Sequence, residues 1–337
     1  MAGKDEKTYK DWGVDMVMPL RVGVVGVGHL GFHHARLYSE ILGVHLAGVV
    51  DTNEDRAMTT SNALGVPYFT DLQEFIDKCH PHALSVVVPT SLHFSISKMA
   101  LEKGIHVLIE KPVTSTVEEA AELLTLAEER DLLLQVGHVE RFNSAVQHVS
   151  SIVNKPLLLQ SRRVGPFSPR VSDVGVVLDL MIHDIDIVLS LVPSEIVNIS
   201  ALGRSVCSDH EDIASAHLQF ADGTIADILV SRVSQRRLRR LEIMEPERTI
   251  AVNYETQDVS IHRCMRENGQ GLVEIVEQPI FPKKEPLKLE LQHFVSCVRE
   301  GRQPLVGIGD GKRALEVAVA VLRQISLNRS NVVEQCV

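Results

Sequence analysis

The sequence predicts two domains, an α/β domain built on a doubly wound parallel sheet and then an α+β domain built on a large, mostly antiparallel, open sheet. Up to about residue 140, short β-branched runs alternate with helical patterns, which is the arrangement of βαβ units. After residue 141, strand-like runs follow one another directly. The chain of 337 residues is also longer than one compact core usually needs. We therefore expect a loose tail at residues 1–18, a first domain at 19–140 and a second domain at 141–337.

Five strands are predicted in the first domain, at residues 20–25, 45–50, 83–89, 106–110 and 132–137. Several of them have apolar residues at consecutive positions, as expected for strands that are covered on both faces. Residues 116–130 lie between the last two strands and space their apolar residues at the helical period. This alternation of strand and helix indicates a parallel sheet.

The second domain is predicted to contain strands at residues 196–202, 214–220, 224–232, 238–244, 249–254 and 259–263. Ala221, Asp222 and Gly223 join two of them, and Asp-Gly between alternating segments is a strong hairpin signal. Successive strands of this kind indicate an antiparallel sheet. We expect a final helix at residues 309–327, with Asp310 as its N-cap.

The composition argues against several classes of function. Acidic residues outnumber basic ones by 44 to 34, a formal charge of −10, whereas nucleic-acid binding needs a basic face. No uncharged apolar run reaches the length that spans a bilayer. The five cysteines form no CxxC pair and residues 1–18 contain no apolar signal segment, so we expect a reduced protein in the cytoplasm.

A glycine motif follows the first strand. Gly26, Gly28 and Gly31 form GxGxxG between a strand and a helix. In a dinucleotide-binding Rossmann domain these glycines permit a tight turn, a close approach to pyrophosphate, and close packing of the helix on the strand. His29 and Leu30 begin the helix, whose unpaired N–H groups and positive dipole end favour phosphates. A purely structural glycine turn is the alternative.

Asp51 indicates which dinucleotide the motif favours. It ends the second strand, 20 residues after the last glycine, where a carboxylate accepts hydrogen bonds from ribose hydroxyls and repels a 2′-phosphate. With the strand, the helix and the acid all in place, the sequence predicts NAD as the cofactor. Arg56 is close enough to Asp51 in sequence that NADP remains an alternative cofactor.

The reaction is expected at the carboxyl ends of the third and fourth strands, because ligands of doubly wound folds bind there. Pro89, Thr90 and His93 come at or after the end of the third strand, and Glu110 and Lys111 close the fourth. These residues are therefore expected to contact the nicotinamide cofactor. A lysine that ends a buried strand and precedes a proline is not a typical surface charge. Taken alone, however, it is as often structural as functional.

A helix at residues 176–191 carries polar residues within an apolar stripe. Asp179 and His183 are four residues apart, so they are expected on one helical face, hydrogen-bonded as an orienting group and a base. The alternatives are that His183 is a core histidine whose hydrogen bonds are satisfied, or that Asp179 and His183 form a surface pair without a catalytic role. A metal site would need a third ligand, and the spacing of the 15 histidines supplies none, so no metal is expected.

The segments GVGHLG, VVD, VPTSLH, EKP and LDLMIHDID, in this order, resemble the Gfo/Idh/MocA oxidoreductases over nearly the whole chain. The resemblance implies a Rossmann domain followed by a substrate domain whose open sheet often forms the interface of a homo-oligomer, a dimer or a tetramer. It also implies that Lys111 contacts nicotinamide and substrate, that His183 is the general base, and that Asp179 orients the histidine or binds substrate. Hydride transfer to NAD is then the expected reaction.

Within this family the sequence is most similar to a branch that acts on nucleotide sugars. LQVGHVERFN and the segment from Arg162 to His183 carry this likeness, and Met181 stands where many members have glycine. The resemblance implies oxidation of the 3-hydroxyl of UDP-N-acetylglucosamine to a ketone, ahead of an aminotransferase that makes a 2,3-diamino sugar for lipid A. UDP-N-acetylglucosaminuronate, myo-inositol or a free sugar is an alternative substrate, and a non-enzymatic NAD-binding sensor is an alternative function.

Arginines near the proposed catalytic segments suit a diphosphate, because the guanidinium fork matches phosphate oxygens. Together with Lys111, Asp179 and His183, the expected substrate residues are Arg141, Asn143, Arg163 and Arg170. Scattered surface charges are the alternative for any one of these arginines. The basic run RVSQRRLRR at residues 232–240 is expected on a solvated or interface face rather than on nucleic acid.

Overall fold

Six parallel strands form the first sheet, in the order β3-β2-β1-β4-β5-β6. The structure, a computed structural model, describes residues 18–167, 174–266 and 272–335, so nearly all of the predicted tail lies outside the described residues. The strands are β1 (Leu20–Val25), β2 (Val44–Val50), β3 (Tyr68–Phe69), β4 (Ala83–Val86), β5 (His106–Glu110) and β6 (Leu134–Gly137). The strand order reverses between β1 and β4, which confirms the doubly wound Rossmann topology.

Five helices connect these strands. They are α1 (His29–Glu40), α2 (Glu54–Leu64), α3 (Leu72–Cys79), α4 (Thr90–Glu102) and α5 (Val117–Glu129). The third predicted strand is shorter than expected, because the chain leaves the sheet after Val86 and Pro89 already precedes α4. The helix predicted at residues 116–130 is α5, where the side chains of Thr116 and Glu119 each accept a bond from the other's N–H and fix the helix start.

Eight strands form the second sheet, in the order β14-β13-β12-β11-β7-β10-β9-β8. They are β7 (Leu158–Val164), β8 (Ile196–Arg204), β9 (Ile213–Phe220), β10 (Ile225–Ser231), β11 (Leu238–Glu245), β12 (Arg248–Asn253), β13 (Asp258–Arg266) and β14 (Leu272–Glu277). Of the pairs in this described sheet, β7 with β10 is parallel and the others are antiparallel, which confirms the mostly antiparallel open sheet. The predicted hairpin joins β9 and β10, and Gly223 has a φ of +89° that favours glycine.

The remaining helices surround the boundary between the two sheets. They comprise a 3₁₀ turn (Val139–Phe142), α6 (Ser144–Ile152), a π-helical turn (Val177–Met181), α7 (Ile182–Leu191), α8 (Pro286–Glu300) and α9 (Ile308–Gln335). The prediction that Asp310 is the N-cap of the last helix is wrong. The helix begins at Ile308, and Asp310 accepts a bond from the Gly307 N–H within its first turn. None of the described helices combines the length and apolar composition needed to cross a membrane.

The last two helices return to the first sheet. Phe294 of α8 packs in the same apolar cluster as Leu37 of α1, on one face of that sheet. Leu315 of α9 belongs to the cluster on the other face, with Leu123 of α5. Further along α9, Val321 packs in the core of the second sheet. The C-terminal segment therefore contacts both sheets, which a linear division at residue 141 does not anticipate.

Candidate active site

The glycine loop has the geometry that a dinucleotide needs. Gly26 has a φ of +84°, and a Cβ there would come 2.3 Å from the Val87 carbonyl oxygen. A Cβ on Gly31 would come 1.8 Å from the Gly26 carbonyl oxygen, so α1 and the loop touch through backbone alone. A Cβ on Gly28 would meet nothing within 4 Å and would project into open space beside the loop. The tight turn at Gly26 and the close packing at Gly31 agree with the roles predicted for them, and the open space at Gly28 leaves room for the predicted approach of a pyrophosphate.

The N-terminus of α1 presents main-chain donors at this loop. Gly28 is the N-cap and no side chain caps the helix. The first intrahelical bond runs from the Phe32 N–H to the Gly28 carbonyl, so the N–H groups of His29, Leu30 and Gly31 precede the helical ladder. The side chains of His29 and Leu30 are exposed. Free donors at a positive dipole end fit the pyrophosphate of NAD.

Asp51 is fixed beside the same loop. One carboxylate oxygen accepts a bond of 2.9 Å from the Val27 N–H, and the other accepts one of 2.9 Å from the Asn53 N–H. Because each oxygen has a second lone pair, the group can still accept ribose hydroxyls. Arg56 lies exposed in the first turn of α2, one turn further along the chain. The carboxylate, and not the arginine, is the group held at the glycine loop.

His93, which the sequence predicts to contact the cofactor, has backbone partners at both of its ring nitrogens. Its ring is buried, and its nitrogens lie 2.8 Å from the Pro112 carbonyl oxygen and 2.9 Å from that of Val88. The ring therefore ties the loop after β4 to the loop after β5. Pro89 and Thr90, at the start of α4, keep their predicted place at the carboxyl end of β4.

Glu110, which is also a predicted cofactor residue, is buried beneath the end of β5. Its carboxylate accepts a 3.2 Å bond from the Lys111 N–H and lies 3.2 Å from the His34 ring. Burial raises the pKa of Glu110, but the bond and charge of His34 and the charge of Lys111 outweigh it and leave the pKa lowered. This buried acid supports the main chain from which Lys111 projects.

Lys111 joins the two domains. Its ammonium donates a 2.8 Å bond to the Asp179 carbonyl and a 3.1 Å bond to the Asp179 carboxylate. Both side chains are only partly exposed, at 17% and 23%. The cation at the end of β5 is thus held against the helical segment that contains His183, as the sequence predicted.

Asp179 and His183 do not form the hydrogen bond predicted from their spacing. Asp179 lies in the π-helical turn, where i to i+5 bonds widen the helix, so the α-helical rule for residues four apart does not apply. Its carboxylate turns to Lys111. The Nδ1 atom of His183 is buried and, within the part of the chain that the structure describes, has no hydrogen-bond partner.

The surroundings of His183 keep its imidazole in the neutral form. Burial, followed by the positive charges of Lys111 and Arg163, lowers its pKa well below the usual value. The imidazole is therefore neutral at neutral pH, as a general base must be. The His138 ring stands edge-on to it, with 6.4 Å between ring centroids. His138 is buried, and sequence reasoning did not single it out.

Three of the predicted substrate residues are committed to partners inside the protein. Arg163 binds Asp184 through bonds of 2.8 and 3.2 Å and Glu140 through one of 2.9 Å. Arg141 lies 3.4 Å from Asp186.

The third of them, Asn143, caps α6 and donates a bond to the Tyr254 carbonyl. Substrate binding by Arg163 and Asn143 stays a prediction, and it would require these side chains to keep or exchange their internal partners. Arg170 lies outside the described residues.

A cavity of about 310 Å³ adjoins Asp179. Its lining includes four arginines: Arg163, Arg232, Arg237 and Arg239. In the run at residues 232–240, which is predicted on a solvated or interface face, Arg232 is buried against Asp212 and does not fit that prediction, whereas Arg239 is half-buried and faces the cavity. Sequence reasoning missed this wall because the pairing of β11 with β7, which positions Arg239, has no local signature.

Comparison with known proteins gives consistent matches in both domains. Residues 20–138 match a model of an oxidoreductase family with an NAD-binding Rossmann fold, and residues 145–250 match the GFO/IDH/MocA C-terminal domain. A UDP-N-acetylglucosamine 3-dehydrogenase from Acidithiobacillus ferrooxidans is 34% identical over 304 residues, covering 90% of this chain and 96% of the relative. A scyllo-inositol 2-dehydrogenase (NAD(+)) from Bacillus subtilis is 29% identical, covering 89% and 92%.

Solved structures show the same architecture. The UDP-N-acetylglucosamine 3-dehydrogenase from Acidithiobacillus ferrooxidans superposes with a TM-score of 0.84 and covers 90% of this chain and 97% of its own. A scyllo-inositol dehydrogenase from Lactobacillus casei, with bound NAD(H) and scyllo-inositol, has a TM-score of 0.78 at 20% identity and covers 92% and 98%. The second likeness shows a shared fold.

Proposed function

Because the chain belongs to the Gfo/Idh/MocA family and is an NAD-dependent dehydrogenase acting on a CH–OH group, we propose that its substrate is UDP-N-acetylglucosamine and that it oxidises the 3-hydroxyl to a ketone. The contact of Lys111 with Asp179 beside a neutral His183, at the carboxyl end of β5, carries the assignment of the reaction site. The choice of sugar is supported by the 34% identical relative and by the arginine-lined cavity next to Asp179.

The residues of the site divide the reaction between them. The His183 imidazole, neutral at neutral pH, accepts the proton of the sugar hydroxyl. The Lys111 ammonium, oriented by Asp179, stabilises the negative charge that develops on the same oxygen. NAD, when bound, supplies the hydride acceptor, and the glycine loop with Asp51 holds its pyrophosphate and ribose.

The proposed product has a place in a reaction sequence. A 3-keto nucleotide sugar is the substrate that an aminotransferase needs to make a 2,3-diamino sugar, the kind used in lipid A. We place the enzyme before such an aminotransferase and expect a homo-oligomer, a dimer or a tetramer, that associates through the open second sheet.

Incubation of the protein with NAD and UDP-N-acetylglucosamine tests the proposal. We expect NADH absorbance together with a sugar product lighter by two hydrogens, detected by mass spectrometry. An amino donor with an aminotransferase would pull an unfavourable oxidation forward. The same assay with UDP-N-acetylglucosaminuronate, myo-inositol, scyllo-inositol and free N-acetylglucosamine gives the comparison. Turnover of one of these, with none of UDP-N-acetylglucosamine, would contradict the proposed substrate.

An inositol is the second candidate substrate. The Bacillus subtilis relative named for scyllo-inositol matches nearly the whole chain at 29% identity. A small neutral polyol, however, leaves the cationic cavity wall without a partner. That wall favours an anionic substrate.

A further inference from the structure

The four arginines of the cavity beside Asp179 differ in whether an acidic side chain balances their positive charge. Arg163 is bound by Asp184 and Glu140, and Arg232 by Asp212, so both are compensated inside the protein. Arg237 pairs with Glu255 while more than half of its side chain remains exposed. The Arg239 guanidinium forms no hydrogen bond or ion pair with any of the described residues, 18–167, 174–266 and 272–335.

At the position of Arg239, a charge without a partner is electrostatically unfavourable. It lies on β11 directly opposite Arg163 on β7, and like charges in facing positions of a sheet repel each other. Burial, then the charges of Arg163 and Arg237, lower the pKa of Arg239, with Glu140 and Glu255 opposing this shift only in part. Arginine nevertheless stays protonated. The cavity wall therefore carries an uncompensated positive charge.

From this arrangement we infer that Arg239, assisted by Arg237, binds the diphosphate group of the substrate in the cavity next to Asp179. The inference rests on the proposed function and names the residues that recognise the nucleotide part of the sugar. A diphosphate offers several anionic oxygens to two guanidinium forks, which bind such oxygens bidentately. Asp179 lines the cavity and also binds Lys111, so a sugar attached to this diphosphate extends toward the reaction site.

Arg163 and Arg232, the two arginines bound by buried acids, cannot substitute for Arg239. Arg163 would have to leave Asp184, whose carboxylate is fully buried, and a buried charge without its partner is strongly unfavourable. Arg232 is held in the same way by Asp212, which also accepts bonds from the N–H groups of Val206 and Cys207. The ligand-binding charge is thus assigned to Arg239, whose guanidinium has no partner among the described residues, and to Arg237, whose pair with Glu255 lies at an exposed position.

Calorimetric titration of the NAD-loaded enzyme tests the inference. The probes are UDP, inorganic pyrophosphate and glucuronate, and the variants are Arg239→Met, Arg239→Lys and the control Arg236→Met, an exposed arginine of the same run that does not line the cavity. Loss of charge-assisted hydrogen bonds predicts that Arg239→Met binds UDP about 10- to 100-fold more weakly. Arg239→Lys should be intermediate, and Arg236→Met should stay within about twofold of the wild type.

A stability readout separates lost binding from lost folding. Because the substitution removes a repelled charge, the melting temperature of ligand-free Arg239→Met should equal or exceed that of the wild type, and its NAD affinity should be unchanged. Equal UDP affinity in Arg239→Met and wild type would overturn the inference. So would wild-type binding of glucuronate without UDP or pyrophosphate, which would indicate a carboxylate site.

The two proposals can fail separately. If the wild type binds UDP through Arg239 but oxidises no UDP-sugar, the proposed function fails and the diphosphate site stands. If the enzyme oxidises UDP-N-acetylglucosamine with the same KM in Arg239→Met as in the wild type, the function stands and the inference is overturned.

Discussion

At the scale of single residues, the charge of Lys111 favours the neutral form of His183. Asp179 holds the Lys111 ammonium at 3.1 Å, and that positive charge is, after burial, the next cause of the lowered pKa of His183. One group is therefore charged and its neighbour neutral at the same pH. Such a pair can stabilise an alkoxide and accept a proton in one step.

Removal of the Lys111 charge should expose this coupling. In Lys111→Met we expect kcat to fall about 10²- to 10³-fold. The acid limb of the remaining activity should move to higher pH, because loss of the positive charge raises the pKa of His183 and the base must be neutral to act. The pH profile of kcat/KM, followed by NADH absorbance, measures the shift. Lys103→Met, an exposed lysine that follows α4, is the control, and an unmoved acid limb would contradict the coupling.

Replacement of the base should affect turnover and spare the cofactor. For His183→Gln we expect kcat to fall about 10²- to 10⁴-fold, the usual contribution of a general base, with NAD affinity unchanged. Steady-state kinetics and calorimetric NAD binding measure the two effects, and His45→Gln, exposed at the start of β2, is the control. Activity near the wild-type level would remove His183 from its proposed role.

The residue types of the site could be predicted, but their partners could not. Lys111 and Asp51 follow buried strands, so the topology alone places them at the carboxyl edge of the sheet. Arg163 looks equally suited to a substrate in the sequence, yet its partner is Asp184, which lies 21 residues further along the chain on α7. The partners of His93 were equally hidden in the sequence, because the two carbonyls next to its ring come from separate loops.

At the scale of elements, the glycine loop and the π-helical turn determine where the reactive groups point. The loop brings β1 and α1 into backbone contact at Gly31 and leaves space at Gly28. The π-helical turn directs Asp179 to Lys111 and away from His183. Strands with continuous apolar runs and the Asp-Gly hairpin were predictable to within a few residues. The π-helical turn was not, since no pattern of apolar residues marks it.

The glycine loop allows a matched pair of substitutions. Gly28→Ala should fold normally, because Gly28 has φ −64° and ψ −163° and its Cβ would enter open space, but it should bind NAD more weakly by filling the pyrophosphate cradle. Gly31→Ala should be destabilised by at least 1–3 kcal/mol, because its Cβ would overlap the Gly26 carbonyl.

Chemical denaturation and calorimetric NAD binding distinguish the two variants. If Gly28→Ala lost stability as much as Gly31→Ala, or kept full NAD affinity, the assigned roles of the glycines would be incorrect.

At the scale of the whole molecule, the site exists because two separate parts of the chain return to one junction. The cation comes from the end of β5, the base comes from the segment leading into α7, and α8 and α9 cover the first sheet from the far end of the sequence. The order of strands and helices in each domain predicts the two sheets. The return of the C-terminal helices depends on packing between distant segments, which no local pattern contains.

The junction includes a buried acid that should make stability depend on pH. Glu290 on α8 is fully buried, and both of its carboxylate oxygens lack a hydrogen-bond partner among the described residues. Burial, then the nearby Glu110 and Asp186, raise its pKa well above the usual value, so the folded protein keeps a proton that the unfolded chain releases. The contribution of Glu290 to the free energy of unfolding therefore declines by about 1.4 kcal/mol per pH unit. The decline begins above the pKa that Glu290 has in the unfolded chain and ends at the pKa that it has in the folded protein.

Glu290→Gln should remove this decline. We expect the variant to gain stability relative to the wild type as the pH rises from 5 to 8, measured by urea unfolding at several pH values. Glu300→Gln is the control on the same helix, because the pKa of the exposed Glu300 is lowered and its contribution is constant in this range. A Glu290→Gln difference that does not change with pH would show that Glu290 is ionised in the folded protein.

A crystal structure of the complex with NAD and UDP-N-acetylglucosamine would show whether Lys111 and His183 meet at the reacting hydroxyl. We expect the 3-hydroxyl oxygen within hydrogen-bond distance of both the Lys111 ammonium and a ring nitrogen of His183, with the nicotinamide beside the reacting carbon. A sugar bound away from these two groups, or a nicotinamide remote from Lys111, would contradict it.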